Sequence, residues 1–305
     1  MLKNFLIISR ANIQIASLPT AALGVALAAK SWSDILNLPV LLYIILFFVI
    51  LTYSCNINCL NDLEVDEKHK NYLSHAVKSI GIPKLKFLMA AELLIAGIII
   101  ISLCILKKEI IYLLAFLGIV CGYVYSAPPL RIKKRGILSP LPVAFGLYLL
   151  PIIAGWFIVT NQLSAFIILF GIGYALIMQG IVFINTCEDY KEDRISGIRT
   201  LAHVLGIRKT LLLGSIFVLI GGIANLVLIL IFKINLYDIK AISLISSLIL
   251  IIFFFGSIIN ISRRLYDISI SRNPAALSKR EAFKMRKWFL TTRYPLFFIS
   301  VLLIS

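Results

Sequence analysis

Residues 163–193 read LSAFIILFGIGYALIMQGIVFINTCEDYKED. Residues 163–184 carry no charge and are long enough to cross a hydrocarbon core as a helix, which needs about 20 apolar residues. Glu188, Asp189, Glu192 and Asp193 follow at once. Unpaired carboxylates at the end of a membrane-length segment are costly. A sequence that keeps four of them there needs something to hold against their charge.

The pattern of long apolar runs extends along the chain. It has 305 residues, of which 60% are hydrophobic and 14% charged. That composition excludes a soluble core and predicts an all-α, polytopic membrane protein. Nine apolar segments can be read, at 13–29, 39–58, 86–106, 110–126, 138–159, 163–184, 210–232, 239–260 and 288–304. We therefore expect nine transmembrane helices in one bundle, a single domain over 1–305. The first segment follows MLKNFLIISR, whose short apolar stretch and Arg10 do not make a cleavable signal, so it is expected to stay.

The net charge of +16 raises the question of a nucleic-acid partner. With the N-terminus inside, 24 of the 30 Lys and Arg fall in the inner regions; Lys30, Lys107, Lys108, Lys233 and Lys240 lie outside and Arg293 within the last segment. This is the positive-inside bias of a multi-pass protein. It places the N-terminus and the long polar loops on the cytoplasmic side, and no nucleic-acid-reading module accompanies it. The five cysteines (55, 59, 104, 121, 187) form no paired framework and read as small buried side chains. Cys55 and Cys59 share a helix face but lack the further ligands of a metal site.

The inner loops carry the polar chemistry, and two of them repeat. Asn58, Asp62 and Asp66 end the second segment with the spacing of Asn185, Asp189 and Asp193 at the end of the sixth. Equivalent places for these two segments suggest two consecutive four-helix halves with a ninth helix left over. Positions i, i+4 and i+8 form one polar stripe on a helix. Such carboxylates repel each other, and burial would drive them to hold protons unless cations are supplied. Magnesium suits the pattern, because it takes one or two carboxylates together with water and phosphate oxygens. A solvated loop end explains one acidic pair but not two matching stripes.

The two stripes, with YSAPPLRIKKRG from Tyr125 and DRISGIRTLAHVLG from Asp193, resemble the UbiA-type intramembrane prenyltransferase superfamily over essentially the whole chain. Its members carry an N-x-x-x-D-x-x-x-D element after helix two and a D-x-x-x-D element after helix six of nine. The resemblance implies transfer of a prenyl group from a prenyl diphosphate to a lipophilic, membrane-associated acceptor, with a quinone precursor or related aromatic favoured. It implies that Asp62, Asp66, Asp189 and Asp193 hold magnesium, that Asn58 and Asn185 complete the cradle, and that Tyr125 faces the diphosphate. Arg131, Lys133, Lys134, Lys191, Arg194 and Arg199 are its candidates for balancing the diphosphate's charge. Arg10 is either another such cation or a positive-inside anchor.

The chain departs from the superfamily pattern in three places. Cys59 stands where many members have Asp. KHKNYLSHAVKSIG replaces an Arg-rich stretch, so Lys70, His75 and Lys78 would have to substitute without the bidentate fork of Arg. Glu188 and Glu192 add acidity that is either solvated or metal-binding. Glu92 is either a functional intramembrane acid or a side chain that reaches the interface. RNPAALSKREAFKMRKW reads as an interfacial basic segment anchored by Trp288, His203 as a packing residue, and Pro151 and Pro295 as helix bends. The competing functions are a divalent-cation transporter and a homologue that binds lipid without catalysis. A transporter would be expected to place its polar residues nearer mid-membrane.

Overall fold

The structure, a computed structural model, describes residues 2–232 and 241–304. All nine apolar segments are helical within these residues, and no strand occurs among them. Lys233, Lys240 and the first two residues of the eighth segment lie outside the described residues.

The chain opens with α1 (Leu2–Ile8) and α2 (Ala11–Ala28), then α3 (Leu38–Asn61), two short helices α4 (Leu63–His69) and α5 (Asn71–Ile80), and α6 (Ile82–Ile105) and α7 (Ile110–Ser126). A single turn α8 (Leu141–Val143) leads through a π-helical turn, Ala144–Leu149, into α9 (Leu150–Thr160). Next come α10 (Ala165–Glu188), the short α11 (Tyr190–Ile195) and α12 (Leu201–Leu205), and the long α13 (Ile207–Phe232) and α14 (Ala241–Ile270). The chain closes with α15 (Pro274–Glu281) and α16 (Met285–Leu302).

Six helices among the described residues are long and apolar enough to cross a membrane, and the pair α1 and α2, bent by 56°, would make a seventh if it is one span. The nine segments are thus helical, but the described residues give six spans, or seven, rather than nine. The helix of the fourth segment, α7, is only 17 residues long, and α16 carries Arg286, Lys287 and Arg293.

Helix ends follow local chemistry. Asn37 caps α3 by accepting from the Val40 N–H at 3.0 Å, with Pro39 in the first turn. Ser164 does the same for α10. The central element is α10, which has 72% of its apolar window buried against 28% to 44% for the other five spans. Phe170, Tyr174, Ile177, Met178 and Ile181 are all completely buried. Its contact with α13 is backbone-close: a Cβ on Gly180 would come within 2.6 Å of the Gly214 carbonyl oxygen. Packing through small residues replaces the hydrophobic drive that lipid cannot supply.

Around α10 the remaining helices close a bundle: α13 packs on α14, α14 on α16, α16 on α2, α2 on α9, and α3 on both α6 and α7. Trp288 is buried in this core rather than anchored at an interface, because α16 turns 288, 292 and 296 inward together. Glu92 is likewise 8% exposed and accepts from Asn56 Nδ2 at 2.7 Å, so it faces α3 instead of reaching the interface. Pro151 sits just after the π turn, consistent with a local irregularity there.

Candidate functional site

The two acidic stripes are built in the same way. Asp62 ends α3 and Asp189 ends α10 with nearly equal backbone angles, φ −102°, ψ 6° and φ −80°, ψ 4°. In the first, the Asp62 N–H donates to the Asn58 carbonyl at 3.0 Å and the Asp66 N–H to the Asp62 carbonyl at 2.7 Å. The second repeats this at 3.1 Å and 2.8 Å through Asn185, Asp189 and Asp193. Helical i to i−4 bonding therefore continues past each helix end, which keeps the three side chains on one face.

Both stripes line one cavity of ≈ 430 Å³, whose wall includes Asn58, Asp62, Asp66, Asn185, Asp189 and Asp193. Arg10, Lys70, Tyr125 and Lys133 line it as well. An adjoining space of ≈ 840 Å³ shares Arg10, Lys70, Asn185 and Asp189 and runs past α1 and α5. Below this polar head the lining is mostly apolar, between α3 and α7 and along α9, with Tyr43, Ser54, Tyr148 and Gln179 among it.

Of the four aspartates in the stripes, Asp62 is the most heavily bonded. Arg131 donates to its Oδ1 at 2.9 Å, the Lys133 ammonium makes a close ion pair with Oδ2, and Asn58 Nδ2 donates to Oδ2 at 3.0 Å. Asn58 also donates to Ser126 Oγ at 3.0 Å and accepts from Arg10 at 3.1 Å. Arg10 is thus a cavity residue as well as a basic residue before the first long helix. Lys70 reaches Asp189 Oδ2 at 3.3 Å, so one lysine of the replaced Arg-rich stretch does enter the site. His75 and Lys78 do not line the cavity; Lys78 pairs with Glu67 at 2.5 Å.

Negative charge is nevertheless in excess at the outer positions, Asp66 and Asp193. Burial, and then the neighbouring Asp189, push the Asp193 carboxyl up to about 7. Burial followed by Asp62 raises that of Asp66, whose Oδ2 is buried with no hydrogen-bond partner. Among the described residues no three His, Cys, Asp or Glu side chains converge on one point that could hold a metal. The donor set therefore fits an oxygen-seeking cation held through one or two carboxylates with ligand oxygens completing it, and does not fit a closed protein cage.

Five candidate cations are not part of the cavity wall. Arg131 approaches Asp62 from behind and also donates to the Asn61 carbonyl at 2.8 Å. Lys134 neighbours Lys133 on a short 3₁₀ turn but does not line the cavity. Lys191, Arg194 and Arg199 are exposed. On the short helix α11, Asp189 and Asp193 share a face, and the helical rotation of about 100° per residue carries 191 and 194 off it.

Of the added acids, Glu192 pairs with Lys279 at 2.9 Å, and that bond holds its carboxyl below the usual range. Glu188 borders only the adjoining space. His203 stacks on Tyr190 with ring centroids 4.4 Å apart and bonds to the Tyr190 carbonyl, a packing role. The basic segment is not simply interfacial, since Lys279 docks α15 on α11 and Met285 and Phe289 line the cavity. Gln179 and Tyr148 also line it and were not singled out from the sequence. A lone amide in the apolar run 163–184 was the available signal for Gln179.

An all-helical bundle with twin acidic helix ends at the head of an apolar cavity defines a membrane protein built to hold a charged group beside a long apolar one. The UbiA prenyltransferase family model matches residues 17–271, and the chain belongs to that family. It is 28% identical over 188 residues to lycopene elongase/hydratase of Haloferax volcanii, covering 61% of this chain and 60% of that protein. It is 30% identical over 172 residues to the probable homogentisate phytyltransferase 2, chloroplastic, of Oryza sativa subsp. japonica, covering 53% of this chain and 44% of that one. The matched stretch thus spans less than two thirds of either relative's length.

Solved structures share the fold over nearly the whole chain. A UbiA homolog from Archaeoglobus fulgidus bound to GPP and Mg2+ matches with a TM-score of 0.65 at 19% identity, covering 98% of this chain and 100% of that one. A structure of digeranylgeranylglyceryl phosphate synthase matches at 0.69 and 17%, covering 98% of each.

Proposed function

We propose that this protein transfers a prenyl group from a prenyl diphosphate to a lipophilic, membrane-associated acceptor, with an aromatic quinone precursor favoured. The observation that carries the reading is the convergence of two matching acidic helix ends, with Lys70, Lys133 and Arg10, on the polar head of an otherwise apolar cavity. All nine helices would cross or enter the membrane, with the acidic head on the cytoplasmic side, as the distribution of Lys and Arg implies. The chain is read as one domain.

Asp66, Asp189 and Asp193 would hold magnesium, with Asp62 joining once Lys133 turns from it to ligand phosphate. Asn58 and Asn185 would complete the cradle. Magnesium bound there supplies positive charge against a diphosphate.

The chain's own residues supply the rest. As the allylic carbon–oxygen bond breaks, its electron pair leaves with the diphosphate. Lys70, Lys133 and Arg10 are placed where that negative charge grows, and such groups stabilise the transition state more than the ground state. Tyr125, Tyr148 and Phe47 present aromatic rings to the cavity that receives the prenyl cation. Apolar side chains of α3, α7 and α9 exclude the water that would capture it. The acceptor's nucleophilic atom then bonds to the prenyl carbon and a proton is lost.

The test is diphosphate release by the purified protein with prenyl diphosphates of ten to forty-five carbons and a lipid extract, with and without magnesium. Release that requires magnesium, with a new adduct by mass spectrometry, is the expected result. No release with any donor, with magnesium binding that depends on the four Asp residues retained, would sink the enzyme reading and favour a transporter or lipid-binding role.

A further inference from the structure

The cavity wall has two unequal parts below its polar head. Along α3 it runs from Asp62 to Tyr43, about 28 Å at 1.5 Å per residue. Facing it on α7 are Ile111, Leu114 and Ala115, all apolar. The wall on α10 is short: it starts at Gln179 and includes no earlier residue of that helix. Gln179 precedes Asn185 by about 9 Å and Asp189 by about 15 Å along the helix axis.

Gln179 is 4% exposed, lines the cavity, and its buried Oε1 has no hydrogen-bond partner among the described residues. Leaving a buried amide unmatched is costly. A diphosphate seated at the acidic head is too far up the helix to answer it. A prenyl tail, being hydrocarbon, has nothing to offer it. Of the two substrates, only the acceptor can answer it.

The neighbourhood suits a flat ring. Tyr148 and Phe289 both line the cavity and both face one guanidinium: Arg293 lies 5.8 Å from the Tyr148 ring centroid and 4.3 Å from that of Phe289. Arg293 is itself 2% exposed and has no carboxylate partner among the described residues. It donates to the Ala16 carbonyl at 2.7 Å, to Ser17 Oγ at 3.2 Å and to the Met178 sulfur at 3.3 Å. These bonds lock it between α2, α10 and α16, so the two rings are held in place.

Resting on the prenyl-transfer reading, we propose that Gln179 selects the acceptor: the short arm takes a hydroxylated aromatic whose O–H donates to the Gln179 side-chain carbonyl, while the long α3/α7 arm takes the prenyl tail. An acceptor that is purely a hydrocarbon would leave the amide unmatched and is disfavoured. Gln179 reads the substrate remote from the bond being made, so its loss acts mainly on acceptor binding.

The experiment uses the full-length protein in detergent or nanodiscs with geranylgeranyl diphosphate and magnesium. The acceptors are methylhydroquinone, 1,4-dihydroxynaphthalene, their di-O-methyl ethers and a polyene hydrocarbon. Diphosphate release and prenylated product are read separately. Products are expected from the free hydroxyl compounds, with the ethers and the polyene at least tenfold poorer in kcat/KM. Gln179→Met, which keeps length and apolar bulk, should raise the acceptor KM about ten- to a hundredfold with the donor KM unchanged. Gln179→Glu, which keeps an acceptor oxygen, should recover most of that loss.

Equal use of ethers or polyene, an unchanged acceptor KM in Gln179→Met, or diphosphate release without prenylation of any hydroxylated acceptor would each overturn the assignment. Absence of diphosphate release with every acceptor is a different result. It removes the prenyl-transfer reading itself, and this inference with it.

Discussion

Lys70 and Asp189, 119 residues apart in sequence, meet across the cavity mouth with Nζ 3.3 Å from Oδ2, so the loop after the first acidic element is tied to the second. Both side chains are partly exposed, so the pair itself adds little to stability. Its interest lies in placing a cation beside both stripes.

Replacing Lys70 by Met should therefore raise the KM for a prenyl diphosphate about tenfold or more, the worth of one charge-assisted hydrogen bond, with little change in melting temperature. Lys70→Arg should restore part of the loss. Steady-state kinetics against donor concentration, beside a thermal melt, checks both.

Asp62 and Asp189 should behave differently when neutralised. Asp62→Asn leaves the buried Lys133 ammonium and Arg131 without their carboxylate, and breaking a buried pair on one side costs about 3 kcal/mol. Asp189→Asn loses only the half-exposed Lys70 contact. Both variants should lose turnover, but only Asp62→Asn should melt measurably lower. Equal melting temperatures would show that Lys133 is not dependent on Asp62.

The long arm between α3 and α7 predicts how donor length is limited. A Cβ on Gly118 meets only Ile50 Cγ2, at 3.7 Å, so a side chain there can enter the cavity without clashing with backbone. Gly118→Phe should depress turnover of the longest accepted donors tenfold or more while sparing ten-carbon ones. Mass spectrometry of products from mixed donors reads the shift directly.

Glu281 provides a pH test away from the site. It is buried, Arg264 donates to it at 2.6 Å and Lys284 lies 2.8 Å away. The Arg264 bond above all, opposed by burial and helped by Lys284, holds its carboxyl down at about 2. The unfolded value of 4.5 is higher, so the folded state gains stability that is complete above about pH 4.5 and fades as pH falls towards 2. Glu281→Gln should lower the melting temperature at pH 7 and flatten its fall between pH 5 and 3, measured on the solubilised protein.

Much of this was legible in order along the chain. Apolar run length located the six helices long and apolar enough to cross a membrane among the described residues, because a helix in lipid must bond its own backbone and so must be long and uninterrupted. The Asn-x-x-x-Asp-x-x-x-Asp spacing located both stripes, because i to i+4 geometry is local and survives even where each helix nominally ends. The family pattern in those same residues then led to the chemistry. Which cations serve the stripes was much less readable: Lys133 and Arg10 were found among the candidates, while Lys191, Arg194 and Arg199 point elsewhere.

The reason is one of range. The sequence by itself determined a membrane bundle with two acidic helix ends, since hydrophobic length and helical periodicity depend only on neighbours within a few turns. Only the tertiary structure decided that Lys70 serves Asp189, that Lys133 and Arg131 share Asp62, and that Gln179, Tyr148 and Phe289 share one cavity. Those meetings depend on how α3, α7, α10 and α16 pack, and no spacing along the chain encodes the distance between residues on different helices.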